Sequence, residues 1–201
     1  MSETRSEPTK FELRRDATRQ ALIRHGVERF PVKGYSATTI ADLVRDTGHT
    51  SGAFYFHFRS KEDFFVEVLR GAAGVREGWW EPVTDPANAT LEAALGASLA
   101  RLDDSDGGGP AWVNLVADFM QSARHRPDLI AEVRTMHRGW IAELRRFIDV
   151  ARDRGLARTD LSPDELAERV LAVTDGFELH GALYELPGEG IFDVLVRLLR
   201  P

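Results

Sequence analysis

The chain has 201 residues and a net charge of −6, with 43% hydrophobic and 29% charged residues, the balance of a globular chain long enough to bury a sizeable core. It contains no cysteine, which excludes disulfides, thiolate catalysis and cysteine-ligated metal sites. No apolar run reaches the roughly 18–20 residues that cross a bilayer, and the polar opening MSETRSEPT lacks a secretory apolar core, so a cytoplasmic chain with no membrane partner is expected.

Strand signals are scarce and helical periodicity is nearly continuous. Residues 1–9 read as a disordered tail. A first helix is expected over about Lys10–Phe30, with Leu22, Ile23, Gly26, Val27 and Phe30 on one face and Arg14, Arg15, Arg19 and Arg24 on the other; Pro31 should end or kink it. A second helix starts at Thr38 or Thr39, where Thr39 and Asp42 have capping-box spacing, and ends near Thr47 with Gly48 turning the chain. A short third helix covers about Ser51–Phe56. Ser60 caps a fourth, with Glu62 and Asp63 suiting its first turn, and this helix runs towards Trp79 or Trp80.

A fifth helix is expected over Ala89–Leu102, followed by a flexible, acidic, glycine-rich loop from Asp103 to Pro110. Trp112, Leu115, Val116, Phe119, Met120 and Ala123 mark a sixth. A long seventh follows Pro127 and stops at Gly155. Ser162-Pro163-Asp164-Glu165 opens an eighth, striped by Leu166, Val170, Val173, Phe177, Gly181 and Tyr184. A ninth covers about Gly190–Arg200. The expectation is an all-α chain of about nine helices. Residues 10–59 would form a three-helix N-terminal unit. Residues 60–201 would form a second helical unit, with 60–80 as the connecting helix.

The segment Gly34–Lys61 carries the chemistry. A helix enters the major groove only if its leading residues are small or polar and its flanks hold phosphates. Thr50, Ser51, Gly52 and Ala53 open the third helix without bulk. Tyr55 offers a phenol at phosphate distance, His57 adds a ring donor, and Thr38, Thr39 and Lys61 sit at helix starts, where anions are favoured. Phe54 and Phe58 read as core anchors. Residues 1–70 hold 12 Lys/Arg against 10 Asp/Glu, whereas 71–201 hold 14 against 22. The acidity therefore lies away from this segment, which remains free to approach phosphates.

Phe30, Gly34-Tyr35, Ala37-Thr38-Thr39, Asp42, Gly48, Gly52-Ala53, Tyr55, His57-Phe58 and Ser60-Lys61-Glu62 stand at fixed spacing, and in this the stretch Leu22–Leu69 resembles the DNA-binding domain of the TetR family of bacterial transcriptional regulators. The resemblance implies a homodimer on a pseudo-palindromic operator in double-stranded DNA, released when a small-molecule effector binds a divergent C-terminal domain. Two positions depart from the family pattern. Ser51 replaces a usual lysine, which should lower the salt dependence of binding. His49 replaces a small apolar residue and either packs neutral in the core or faces DNA.

In the C-terminal half, Trp112, Phe119, Met120, Met136, Trp140, Phe177 and His180 are candidate lining for an apolar or aromatic effector, with Asp118 and Glu143 as attractors for a cationic one. The last two helices are the dimerisation candidate, because Gly176 and Gly181 allow close approach and the final helix is too short to stand alone. No cofactor or metal is expected: Gly107–Gly109 match no phosphate loop, and His125 and His137 lack zinc-helix spacing. The competing reading is a helical small-molecule-binding protein or enzyme that kept the fold and lost operator binding.

Overall fold

The structure is a computed structural model that describes residues 9–74, 78–103, 111–184 and 190–201. Among the described residues there are nine α-helices and no strand: α1 (Lys10–Lys33), α2 (Ile40–Val44), α3 (Ser51–His57), α4 (Lys61–Gly74), α5 (Leu91–Asp103), α6 (Ala111–Ser122), α7 (Pro127–Asp153), α8 (Pro163–Tyr184) and α9 (Ile191–Leu199), with a 3-10 turn at Glu81–Thr84. Most of the expected tail (1–8) and of the glycine-rich loop (104–110) lies outside the described residues. None of the described helices is long and apolar enough to cross a membrane.

The helix starts follow local chemistry. Thr9 and Glu12 form a full capping box at α1, as do Thr39 and Asp42 at α2. Ser162 and Glu165 exchange the same pair of bonds at α8, each box satisfying two otherwise orphaned amides. Pro31 does not end α1. The helix runs on to Lys33 and stops at Gly34, whose φ of 84° few other residues adopt and whose amide bonds back to Phe30. A proline forfeits one ladder bond, but its fixed φ is itself helical, so a helix nearly finished can continue one turn. α2 is shorter than expected, because residues 45–48 form turns in which Asp46 and Gly48 both take positive φ.

Two apolar cores organise the bundle. The first gathers Leu22, Phe30, Tyr35, Leu43, Phe54, Phe58, Phe64 and Phe65 from α1–α4, and it continues without a break into Trp112, Leu115 and Phe119 of α6 and Leu129 and Val133 of α7. The second joins Trp79, Val83, Leu91 and Leu95 to Leu144 and Phe147 of α7, Leu166 and Val170 of α8, and Leu195 and Leu199 of α9. The first core thus crosses the boundary expected at residue 60. At the 1.5 Å rise of an α-helix, the 27 residues of α7 extend about 40 Å, long enough to serve both cores.

α1 and α4 approach closely at Gly26. A Cβ there would lie 2.8 Å from Phe64 Cζ and 2.8 Å from Val68 Cγ2, both fully buried. Gly26→Val is therefore expected to lower stability by about 2 kcal/mol or more through overpacking, read as a reduced midpoint in urea unfolding. An unchanged midpoint would mean that the α1–α4 contact is looser than the packing indicates.

Candidate nucleic-acid interface

The three DNA-side helices are held by polar hubs. The Asp42 carboxylate accepts from the Thr39 amide at 2.9 Å and its hydroxyl at 2.6 Å, and it also pairs with Lys33 and with Arg45 at 3.3 Å. The Lys33 contact, followed by the Thr39 bonds, holds the Asp42 carboxyl well below the usual carboxylate range. α3 is anchored by Phe54, whose ring meets those of Phe58 and Phe64 at 5.4 and 5.1 Å. The Thr50 hydroxyl caps α3 by accepting the Ala53 amide at 3.2 Å.

This anchoring leaves one face of α3 outward. Thr50, Ser51, Gly52, Tyr55 and Phe56 are exposed, and a Cβ on Gly52 would meet only the Thr50 hydroxyl at 3.5 Å. Gly52 is therefore bare for no internal packing reason, unlike Gly26. Tyr55 is 59% exposed, with its ring edge against Phe54. Thr39 is exposed and caps α2. His57 is half-buried at the end of α3, and burial first, then the cationic Arg15 and Arg19, pushes its pKa below the ordinary histidine value. His49 is half-exposed, and its amide donates to the Thr47 hydroxyl at 3.2 Å. Thr39, Thr50, Ser51, Gly52, Tyr55 and His57 thus lie on two short helices and their caps.

Thr38 and Lys61, expected to meet phosphate, are engaged internally. Thr38 is 1% exposed, and its hydroxyl donates to the Gly34 carbonyl at 2.6 Å. The Lys61 ammonium donates to the carbonyls of Tyr35 at 3.0 Å, Ser36 at 3.4 Å and Thr38 at 3.0 Å, and it sits 4.4 Å from the centre of the Tyr35 ring. An ammonium has three N–H donors, and here all three point into the chain. The sequence signal was the position at the start of α4, which suits both an anion and a carbonyl-rich turn. Which of these it serves depends on how residues 35–38 fold back over α4.

The same turn is tied to α6. The Ser36 amide donates to the Asp118 carboxylate at 2.8 Å, the Ser36 hydroxyl contacts both Asp118 and, at 3.1 Å, Ser122, and the Tyr35 ring stands edge-on to Phe119 at 5.1 Å. Asp118, considered above as an attractor for a cationic ligand, is committed to this joint. Burial alone would raise its pKa, but the Ser36 bonds and Lys61 outweigh it and lower it. Arg126 adds a bond to Asp63 at 3.2 Å, and Arg70 one to Glu132 at 2.7 Å.

The candidate effector residues do not converge. Trp112 and Phe119 are buried in the first core, with Met120 and Met136 packed on it, whereas Trp140 packs on the second. Phe177 is half-buried and His180 exposed. Glu143 accepts from the Gly78 amide at 3.3 Å and pairs with Arg146 at 2.9 Å. Periodicity placed these side chains on inward faces but could not assign them to two separate cores. The second core holds donors that sequence patterning did not single out: Trp79 Nε1, Trp80 Nε1 and Ser98 Oγ are buried without a hydrogen-bond partner. Trp79 lies flat on Phe147 at 5.3 Å and tilted to Trp140 at 5.5 Å.

Comparison with known proteins converges on one family. Residues 15–68 match the model described as bacterial regulatory proteins, tetR family, and residues 87–200 match the C-terminal domain of BetI-type transcriptional repressors. The chain is 27% identical over 171 residues to the HTH-type transcriptional repressor DhaR of Mycobacterium sp. (strain GP1), covering 81% of each chain. It is 27% identical over 173 residues to the HTH-type transcriptional regulator YwcC of Bacillus subtilis (strain 168), covering 83% of this chain and 77% of that one. The fold matches a TetR-family regulator from Agrobacterium tumefaciens with a TM-score of 0.74 at 14% identity, over 93% of this chain and 100% of that one. The chain belongs to the tetR family of bacterial regulatory proteins.

Proposed function

We propose that the chain is a ligand-responsive transcriptional repressor that binds a pseudo-palindromic operator as a homodimer and leaves it when a small molecule occupies the C-terminal half. The observation that carries this is the outward face of α3: small residues lead it, Gly52 is bare without an internal cause, and a buried Phe54 fixes its pitch. Ser51 and Gly52 face base edges, while Thr39, Thr50, Tyr55 and His57 supply hydrogen bonds to phosphates, the usual majority of protein–DNA contacts. Lys61 and Thr38 serve by shaping the turn that presents α2.

Dimerisation through α8 and α9 is supported by the way the α8 stripe leaves the core. Leu166 and Val170 are buried, but Leu183 is 60% and Tyr184 64% exposed at the other end, with Val194 of α9 also exposed. An apolar helix end in water is costly to leave uncovered and marks an interface. A second copy related by a twofold axis would cover it and set the spacing of the two α3 helices. For the effector, the unpartnered donors of Trp79, Trp80 and Ser98 favour a molecule with an aromatic or apolar body and a hydrogen-bond acceptor, since a buried donor without a partner costs about 1–3 kcal/mol.

The test is a mobility-shift titration with DNA flanking the chain's own gene, comparing the unaltered chain with Gly52→Ala. The unaltered chain should shift one fragment at low salt. Gly52→Ala should keep or slightly raise thermal stability, as Ala is worth up to about 1 kcal/mol over Gly within a helix, yet weaken binding at least about tenfold. If no fragment shifts while some small molecule still raises thermal stability, the competing reading of a binding protein without an operator takes its place.

Operator affinity should also depend on pH through His57. In the free chain its imidazolium is disfavoured, whereas a neighbouring phosphate favours it, so the complex takes up a proton. Affinity then rises as pH falls from about 8 to about 5.5. The gain is complete below the free-chain pKa and lost as pH rises through the higher pKa of the complex. Fluorescence anisotropy at constant ionic strength should show this slope for the unaltered chain and a flatter one for His57→Gln. Equal slopes would remove His57 from the phosphate contacts.

A further inference from the structure

An open groove of about 580 Å³ lies between α1 and α3, lined by Arg15, Asp16, Arg19, Gln20, Phe56 and His57. Its size is within the range of sites that hold small organic groups. Phe56 is 66% exposed although it stands on the helix whose Phe54 is fully buried, and its ring stands edge-on to that of His57 at 5.1 Å. Arg19 is already committed: it pairs with Glu67, and its guanidinium lies 5.5 Å from the centre of the Phe58 ring. Arg15 is half-exposed, and its ion pair among the described residues is with its neighbour Asp16, loosely at 3.5 Å, a pair worth little in water.

We infer that this groove seats one sugar–phosphate unit of an operator strand, just outside the bases that α3 reads. The inference rests on the DNA-binding reading above. Arg15 gives its planar fork to the phosphate oxygens, Gln20 adds an amide donor beside it, and the Phe56 ring covers the C–H face of the deoxyribose. Arg19, held by the Glu67 carboxylate that also pairs with Arg70, fixes the wall, and Arg15 is the guanidinium that turns to the phosphate. Asp16 repels a second phosphate, so the groove suits one phosphodiester and disfavours a free di- or triphosphate. α1 thereby extends the footprint beyond the helix-turn-helix. Its Arg15–Gln20 face lies outside the helix-turn-helix pattern, so the sequence places its arginines on the face of α1 opposite the apolar one without assigning which of them meets DNA.

The experiment measures anisotropy Kd values from about 50 to 200 mM salt for the unaltered chain, Arg15→Ala and Phe56→Ala. Each is tested on the best-shifted fragment, on single base-pair variants of it and on unrelated duplex, with folding checked by circular dichroism. Arg15→Ala should weaken binding to all duplexes alike and reduce the slope of log K against log salt by about 0.9, the value for one phosphate. Phe56→Ala should weaken all duplexes several-fold with the slope unchanged. An unchanged slope in Arg15→Ala overturns the seat, and so does a Phe56→Ala effect confined to certain base pairs, which would make Phe56 a reader of thymine methyls. Inorganic phosphate at matched ionic strength should compete no better than chloride; selective competition at millimolar phosphate would make the groove a free-anion site. Loss of the slope change with binding intact sinks the groove alone, whereas no duplex binding by the unaltered chain sinks the repressor reading with it.

Discussion

The arrangement of the DNA-side helices depends on one half-buried cation, Lys61. Lys61 gathers the carbonyls of Tyr35, Ser36 and Thr38 around its ammonium and lies over the Tyr35 ring. The five-residue turn 34–38 thus becomes a fixed corner between α1, α2 and α4. Burial draws the Lys61 pKa below the ordinary lysine value, partly countered by Glu62 and Asp118, the pattern of a cation whose lost hydration is replaced by fixed dipoles and nearby acids. Hydrogen bonds to a charged group contribute about 1.5–3 kcal/mol each, so the corner is strongly specified for so short a segment.

That corner also joins the reading helices to the rest of the chain. Asp118 and Phe119 on α6 hold Ser36 and Tyr35, and the first core runs unbroken from α3 through α4 to α6 and α7. A displacement of α6 or of the near half of α7 cannot be absorbed at a soft boundary, because close-packed interiors transmit strain rather than dissipate it. Under the function proposed above, release from DNA requires only that the effector prefer an arrangement of the second core in which α7 sits differently. The shift in DNA affinity is bounded by that preference. α7, shared by both cores, is the physical connection.

Much of this was legible in the sequence. Helix order, the capping box at Thr39, the cap at Ser162, the Gly155 stop and the helix-turn-helix itself follow from local rules that act within three or four residues. Pro31 misled because its cost depends on how much helix remains after it. Lys61 and Thr38 were expected to face phosphate because their positions fit that role. Only the fold of the 34–38 turn shows that their donors have nearer acceptors. The effector residues were hardest to read. A period of 3.6 marks an inward face but not which core that face meets, and on α7 Met136 and Trp140, four residues apart, belong to different ones.

The central claim, that Lys61 acts as the clamp of the 34–38 turn, is tested most directly by hydrogen exchange on the DNA-free chain carrying Lys61→Met, which keeps the side-chain stem and removes the donors. Faster exchange by about tenfold or more at amides across residues 34–57, with α8 protection unchanged, is the predicted result, since losing even one charge-assisted bond amounts to that factor. Unchanged protection across 34–57 would contradict it and return Lys61 to the surface as a phosphate ligand.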